Sequence, residues 1–302
     1  MRQVKDRHKV SIIIPNYDGA RLLEKNLPKV IKAAQNKKNK ILEIIVVDDA
    51  SKDESADLVL SKFTQVRLIK HKVNRGFSAS VNTGARSSKG NILCLLNTDV
   101  SPSKDFLIAI LPHFKNENVF AVSLNEKGYS WAHGFFEDGF VIHKPGRKAK
   151  KTHSTFWVNG GSGVFRRDYW MKLGGMDEKL FSPFYWEDVD LSYRALKRGF
   201  RLLWEPKAKV IHHHESTIGK ISRKYRQRIQ ERNQLIFIWK NLTSPILFRK
   251  HVLGVFRRVS LHPGYLIIVL MALRKIKGVV KVRKREKKES KVSDEAIFAR
   301  FG

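Results

Sequence analysis

Cysteine is nearly missing from this 302-residue chain. Cys94 stands alone, so no internal disulfide framework is possible. It lies in the apolar run Ile92-Leu93-Cys94-Leu95-Leu96, where a buried structural thiol is expected and a reactive one is not. No run of about 20 apolar residues occurs, so no helix is expected to cross a bilayer outright. Met1-Arg2-Gln3-Val4-Lys5 lacks the apolar core of a signal peptide, and the chain reads as cytoplasmic. No internal repeat is visible. Acidic residues are also scarce, 28 against 59 lysines and arginines, for a formal net charge of +31. From Thr217 onward there are 22 Lys or Arg and 5 Asp or Glu. Charge on this scale implies an anionic partner, whether nucleic acid, anionic lipid or a phosphorylated substrate. No nucleic-acid-binding motif is present and the aromatics do not interleave with the basic clusters, so nucleic acid is not expected.

Apolar residues make up 42% of the chain, enough for a sizeable core. Over the first hundred residues two patterns alternate. Val10-Ser11-Ile12-Ile13-Ile14-Pro15 is a short β-branched run that reads as a strand buried on both faces. Leu22, Leu23, Leu27, Val30 and Ile31 then recur at helical spacing between about Ala20 and Ala34. The cycle repeats with a strand at Glu43–Asp48, a helix at Ser55–Phe63, a strand at Val66–Ile69, a helix at Ser78–Ala85 and a strand at Ile92–Leu96. Strands alternating with helices predict a parallel sheet with right-handed crossovers, which binds ligands at the carboxyl ends of its strands. Those ends read Pro15-Asn16-Tyr17-Asp18-Gly19, Asp48-Asp49-Ala50-Ser51, Asn74-Arg75-Gly76 and Asn97-Thr98-Asp99. Each is also a good turn or helix cap by itself, but four in succession on one edge favour a site.

From Phe120 to Phe165 aromatic and glycine-rich stretches break the alternation and read as β-like. A helix is predicted near Asp168, and Phe184-Tyr185-Trp186-Glu187-Asp188-Val189-Asp190-Leu191 opens another that continues through Arg194 to Arg198 and closes at Gly199. Val210-Ile211-His212-His213-His214-Glu215 reads as the end of a further short strand. Beyond Ser216 the composition changes to basic helices punctuated by Pro245 and Pro263-Gly264.

These stretches resemble family 2 of the glycosyltransferases, in particular its bacterial rhamnosyl- and galactofuranosyltransferase-like branch. The matching motifs are Val10 to Tyr17, Val46-Val47-Asp48-Asp49-Ala50-Ser51, Asn74-Arg75-Gly76-Phe77 and Leu96-Asn97-Thr98-Asp99. Two more follow, Gly174-Gly175-Met176-Asp177-Glu178 and Trp186-Glu187-Asp188-Val189-Asp190-Leu191. The resemblance implies a GT-A (Rossmann-like) α/β catalytic domain over residues 9–215, with residues 216–302 as a basic helical extension. It also implies inverting transfer of a sugar from a nucleoside-diphosphate donor to a hydroxyl of a glycan or lipid-linked acceptor. A polyprenyl-phosphate sugar synthase of the same fold, or a non-catalytic binder of anionic surfaces or nucleic acid, are the alternatives.

Carried over residue by residue, the family pattern assigns the nucleotide to Pro15, Tyr17, Asp48, Asp49, Asn74, Gly76 and Asn97. Asp48 or Asp49 accepts hydrogen bonds from the base N–H or ribose hydroxyls. Asp99 matches the last aspartate of the Asp-x-Asp motif, whose divalent metal, Mn²⁺ or Mg²⁺, neutralises the leaving diphosphate. Asn97 stands where that motif begins with Asp, which removes one charge. His212 matches a histidine that serves as a second metal ligand. Glu187-Asp188 matches the acidic pair that supplies the general base, with Asp188 as the base and Glu187 its neighbour. Asp190 is expected to pair with Arg194 four residues on. Gly161, in Gly160-Gly161-Ser162-Gly163, and Trp186 are assigned to the acceptor side, although core packing suits Trp186 equally.

Tyr265-Leu266-Ile267-Ile268-Val269-Leu270-Met271-Ala272-Leu273 is apolar all round and is followed by Arg274, Lys275 and Lys277. Two compatible roles arise for it. One is an interfacial helix on an anionic membrane; the other is a helix packed on the catalytic domain, with Lys281–Lys291 as a solvated tail.

Overall fold

The computed structural model describes residues 8–213 and 222–302. The predicted alternation is present. Strands β1 (Val10–Asn16), β2 (Ile41–Asp48), β3 (Arg67–Lys70) and β4 (Ile92–Leu96) alternate with helices α1 (Ala20–Ala34), α2 (Ser55–Lys62) and α3 (Phe77–Ser87). These strands pair in parallel in the order β3-β2-β1-β4. Val10, Ile12 and Ile13 are all fully buried, as expected for a strand covered on both faces by crossover helices.

The region that breaks the alternation supplies the rest of the sheet. It comprises β5 (Val100–Pro102), β6 (Val119–Glu126), the hairpin β7 (Ala132–Glu137) and β8 (Phe140–Pro145), the short β9 (His153–Ser154) and β10 (Ser162–Arg166). After β10 come α4 (Arg167–Leu173), α5 (Glu187–Lys197) and β11 (Arg201–His212). The main sheet continues β4-β10-β6-β11-β5, and β7 and β8 form a separate pair. Strand β10 runs antiparallel to both β4 and β6, whereas β11 is parallel to β6. The carboxyl ends of β1, β2, β4, β6 and β11 therefore share one edge with the amino end of β10. Strand β11 is longer than the sequence suggested. Pro206 interrupts its apolar pattern and falls where the register with β6 shifts, between Trp204 and Lys209, a position at which a sheet tolerates proline.

Five helices complete the chain: α6 (Arg223–Asn241), α7 (Pro245–Leu261), α8 (Tyr265–Leu273), α9 (Ile276–Glu289) and α10 (Asp294–Phe301). The expected division at residue 215, like His214, lies outside the described residues. Beyond it, Leu235, Phe237, Ile268, Val279 and Phe298 join one core with Phe120, Phe156, Trp186 and Leu191. Buried Asp294 of α10 accepts hydrogen bonds from Tyr193 Oη (2.7 Å), Lys197 Nζ (2.6 Å) and the Ser244 backbone N–H (2.6 Å). The helices thus form a wall of the molecule. Lys281–Lys291 is not a solvated tail: most of it belongs to α9, where Glu286 and Glu289 hold Arg198.

The expected Asp190–Arg194 pair forms at 2.8 Å and is part of a larger buried network. Lys240 of α6 reaches Asp190 at 2.9 Å and Asp177 at 3.0 Å. Arg194 also donates to the carbonyls of Leu173 and Gly175. The Gly-Gly-Met-Asp and Asp-Val-Asp motifs are thereby tied together under α5. Deleting one partner of such a buried set typically costs about 3–5 kcal/mol, because the remaining charge is left uncompensated.

Candidate active site

A cavity of about 310 Å³ opens at the shared strand edge. Seven of the residues singled out from sequence line it: Pro15, Tyr17, Asp49, Asn74, Gly76, Asn97 and Asp99. They come from the ends of β1, β2 and β4 and the loop after β3. Gly76 holds φ +86°, a conformation that a side chain strains, and it opens α3 directly beneath the cavity. Phe77, Pro183 and Phe184 add an apolar flank.

The two aspartates after β2 have separate tasks. Asp48 is buried and does not line the cavity. Its carboxylate accepts from Asn16 Nδ2 (2.9 Å) and Ser51 Oγ (2.5 Å), fixing the β1–β2 ends to each other. Asp49 faces the cavity and accepts from the backbone N–H groups of Arg75 (2.9 Å) and Gly76 (2.7 Å). It also meets His71 Nδ1 at 2.6 Å. The Asn-Arg-Gly turn is therefore held in place by Asp49.

Behind the cavity-lining Asp99, the ladder between β11 and β5 pairs His212 with Val100, which sets its imidazole beside Asp99. His212 Nε2 lies 3.0 Å from Asp99 Oδ1, and Nδ1 lies 3.2 Å from Glu126 Oε2. Burial pulls the His212 pKa down, but the hydrogen bonds to Asp99 and Glu126 outweigh it and lift the pKa to about 9. Glu126, at the end of β6, also accepts from Ser162 Oγ and from Asn159 Nδ2 (2.9 Å). Asn159 in turn accepts from the Gly161 N–H, and the Asn97 N–H bonds the Gly161 carbonyl. Gly161 is thus packed against Asn97, which lines the cavity. A Cβ there would come within 2.4 Å of Asn97 Nδ2.

Asp188 sits in the first turn of α5. Its carboxylate accepts from the Gly160 N–H (3.0 Å) and the Val189 N–H (2.8 Å). Gly160 packs between Asp188 and Phe77, so the carboxylate neighbours the cavity wall without lining it. Burial lifts the carboxyls of both Asp188 and Glu187, to about 6 and about 8 respectively, and the Asp188 charge pushes Glu187 further up. Buried Glu187 Oε2 has no hydrogen-bond partner among the described residues. Two adjacent carboxyls with separated pKa values fit a division into base and proton-retaining neighbour.

Trp186 does not offer a face to an acceptor. It is 5% exposed and packs in the core against Phe237, ring centroids 5.0 Å apart. Its backbone explains the position better than its ring. Tyr185 and Trp186 take φ +73° and +76° in succession, a costly left-handed turn for non-glycine residues. Buried Asn233 of α6 holds that turn. Its Nδ2 lies 2.9 Å from each of the carbonyls of Phe181, Phe184 and Tyr185.

The sequence reading missed Glu126, His71 and Asn233. Glu126 ends an apolar run on the functional edge, the same signal that identified Asp48 and Asp99. Nothing local marks Asn233, whose carbonyl partners are 48 to 52 residues away.

The model of Glycosyl transferase family 2 matches residues 11–174, and the chain belongs to that family. The pre-mycofactocin glycosyltransferase of Mycobacterium tuberculosis is 32% identical over 191 residues, covering 59% of this chain and 38% of that protein. The probable glycosyltransferase YdaM of Bacillus subtilis is 24% identical over 250 residues, covering 78% and 57% respectively. The chain therefore spans well under two thirds of these relatives. Among solved structures, GalNAc-T7 with UDP, GalNAc and Mn²⁺ superposes with a TM-score of 0.63 at 18% identity, over 80% of this chain and 49% of that one. The mannosyltransferase PcManGT from Pyrobaculum calidifontis, in complex with GDP-Man and Mn²⁺, gives 0.57 at 16% identity over 94% and 85%. Both likenesses concern the fold, which is the GT-A fold expected from the sequence.

Proposed function

We propose that this chain transfers a sugar, with inversion, from a nucleoside-diphosphate donor to a hydroxyl of a glycan or lipid-linked acceptor. The observation that carries the reading is the single cavity on which Pro15, Tyr17, Asp49, Asn74, Gly76, Asn97 and Asp99 converge from separate strand ends. The nucleoside lies between the Pro15–Tyr17 segment and the Asn74–Gly76 turn held by Asp49, and the diphosphate extends toward Asn97 and Asp99.

The donor set suits a hard divalent cation. Among the described residues no group of three or more His, Cys, Asp or Glu is arranged to hold a metal by itself. Mg²⁺, however, is commonly held by one or two carboxylates together with substrate phosphates; Asp99 offers one carboxylate, and His212 a ring nitrogen once a metal displaces its proton. They would hold Mn²⁺ or Mg²⁺, which supplies charge neutralisation of the departing diphosphate. Glu126 orients His212 through Nδ1, as outer-shell carboxylates commonly do.

Asp188, ionised at neutral pH, takes the proton from the acceptor hydroxyl as that oxygen attacks the anomeric carbon from the face opposite the leaving diphosphate. The C–O bond to the acceptor forms as the bond to the diphosphate breaks, and the proton stays on Asp188 until solvent removes it. Glu187 keeps its proton and leaves a single negative charge at the base. The basic helical extension supports work at an anionic membrane surface on the cytoplasmic side. Incubating the full chain with UDP-, GDP- and dTDP-sugars, with and without Mn²⁺, tests the reading through release of the nucleoside diphosphate. Metal-stimulated release from at least one donor is expected. Release from none, even when glycan and lipid-linked acceptors are added, would remove the glycosyl-transfer reading.

A further inference from the structure

From Arg232 to Arg285 the chain contains thirteen lysines and arginines and not one aspartate or glutamate. Within this stretch α7 and α8 leave large apolar side chains uncovered. On α7, Ile246, Leu253 and Phe256 recur at helical spacing on one outward stripe, and Leu253 and Phe256 are 68% and 69% exposed. On α8, Tyr265, Ile268 and Ala272 face the core, while Leu266, Ile267 and Leu270 stay about half exposed. The two helices pack against each other. Phe248 of α7, Leu273 of α8, and Ile276 and Val280 of α9 line one groove of about 320 Å³ over Trp239. Exposed basic residues interleave with this surface, Arg249, Lys250 and Arg257 on α7 and Arg274 and Lys277 at the α8–α9 junction. Among the described residues no helix is long and apolar enough to cross a membrane.

We infer that the outer face of α7 and α8 docks the protein in the plane of an anionic phospholipid leaflet. Leu253, Phe256, Leu266, Ile267 and Leu270 enter the acyl boundary, and Arg249, Lys250, Arg257, Arg274 and Lys277 meet the phosphates. Apolar side chains ringed by cations are the signature of an interfacial helix, whose binding sums buried apolar area and attraction to anionic lipid. A second copy of this chain fits the face poorly. It would oppose basic residues to basic residues, with no carboxylate from this segment to offset them. The inference rests on the membrane-surface part of the proposed function and is independent of the chemistry at Asp188.

The test is co-sedimentation of the full chain with phosphatidylcholine vesicles, with and without phosphatidylglycerol. It is run on the wild type, on Leu253→Glu/Phe256→Glu and on Leu270→Glu, with nucleoside-diphosphate binding measured on each protein as a check on folding. Wild-type binding should require phosphatidylglycerol and weaken as salt rises. Each variant should bind the anionic vesicles about tenfold more weakly or worse, with nucleotide affinity unchanged. Three results would overturn the inference: equal wild-type binding to both vesicle types, undiminished binding by both variants, or a lipid-free dimer abolished by the substitutions in a protein that does not bind vesicles. Failure of nucleotide binding in a wild-type protein that still binds vesicles would count against the transfer reading alone.

Discussion

Asp188→Asn is expected to lower turnover by about 10² to 10⁴, the usual cost of losing a general base, while donor affinity stays close to wild type. The N–H groups of Gly160 and Val189 bond different oxygens of the carboxylate, and asparagine keeps only one acceptor oxygen, so the variant's melting temperature is measured beside its rate. The pH profile separates the two carboxyls. A base must be ionised to act, and the Asp188 pKa is raised to about 6. Wild-type kcat/KM should therefore fall as pH drops through about 6, and that acid limb should vanish in the Asn variant. If Glu187 were the base, with its pKa near 8, the rate would instead climb between neutral pH and pH 8. Glu187→Gln would then cause the larger loss. Single-turnover rates of both variants from pH 5 to 9 make the distinction.

The second large effect concerns Asp99. Asp99→Ala should reduce donor turnover by on the order of 10³, the equivalent of several kcal/mol of charge stabilisation, and it should also weaken nucleoside-diphosphate binding in Mn²⁺. A chelator should do the same to the wild type. Glu126→Gln should lower turnover less than Asp99→Ala does, since it disturbs the contacts of Glu126 with His212, Ser162 and Asn159 but leaves Asp99 in place. Calorimetric titration of Mn²⁺ with the nucleoside diphosphate present gives a readout that does not depend on turnover. Undiminished transfer in excess chelator, together with unchanged affinity in Asp99→Ala, would take the metal out of the mechanism.

Much of this was legible because the first half of the fold is written in local signals. The β-branched run of β1 and the helical spacing of α1 match the observed elements closely. Strand ends on a parallel sheet point at the ligand whatever the sequence between them. The second half depends on contacts distant in sequence. Strand β11 carries Pro206 and four charged residues, so its length comes from pairing with β6 and not from its own pattern. Lys281–Lys291 looks solvated by composition, but Arg198 finds Glu286 and Glu289 only once α5 and α9 are packed. Trp186 reads from its motif as either an acceptor contact or a core residue, and the left-handed turn at Tyr185 and Trp186 drives its ring into the core. That turn needs Asn233, which no periodicity in α6 announces. The acidic pair is thus positioned by the extension, and the catalytic fold and the basic helices operate as one structure.

On the proposed reading a nucleoside diphosphate occupies the cavity between Pro15, Gly76 and Asp99. Calorimetric titration of the full chain with UDP, GDP and dTDP in Mn²⁺ tests it most directly, run beside a Gly76→Val variant whose melting temperature is verified. Valine is strained at φ +86°, and the substitution alters the turn that lines the cavity. One-to-one binding of at least one nucleotide to the wild type is expected, weakened about tenfold or more in a folded variant. No binding of any of the three, or equal binding by the two proteins, would contradict that reading.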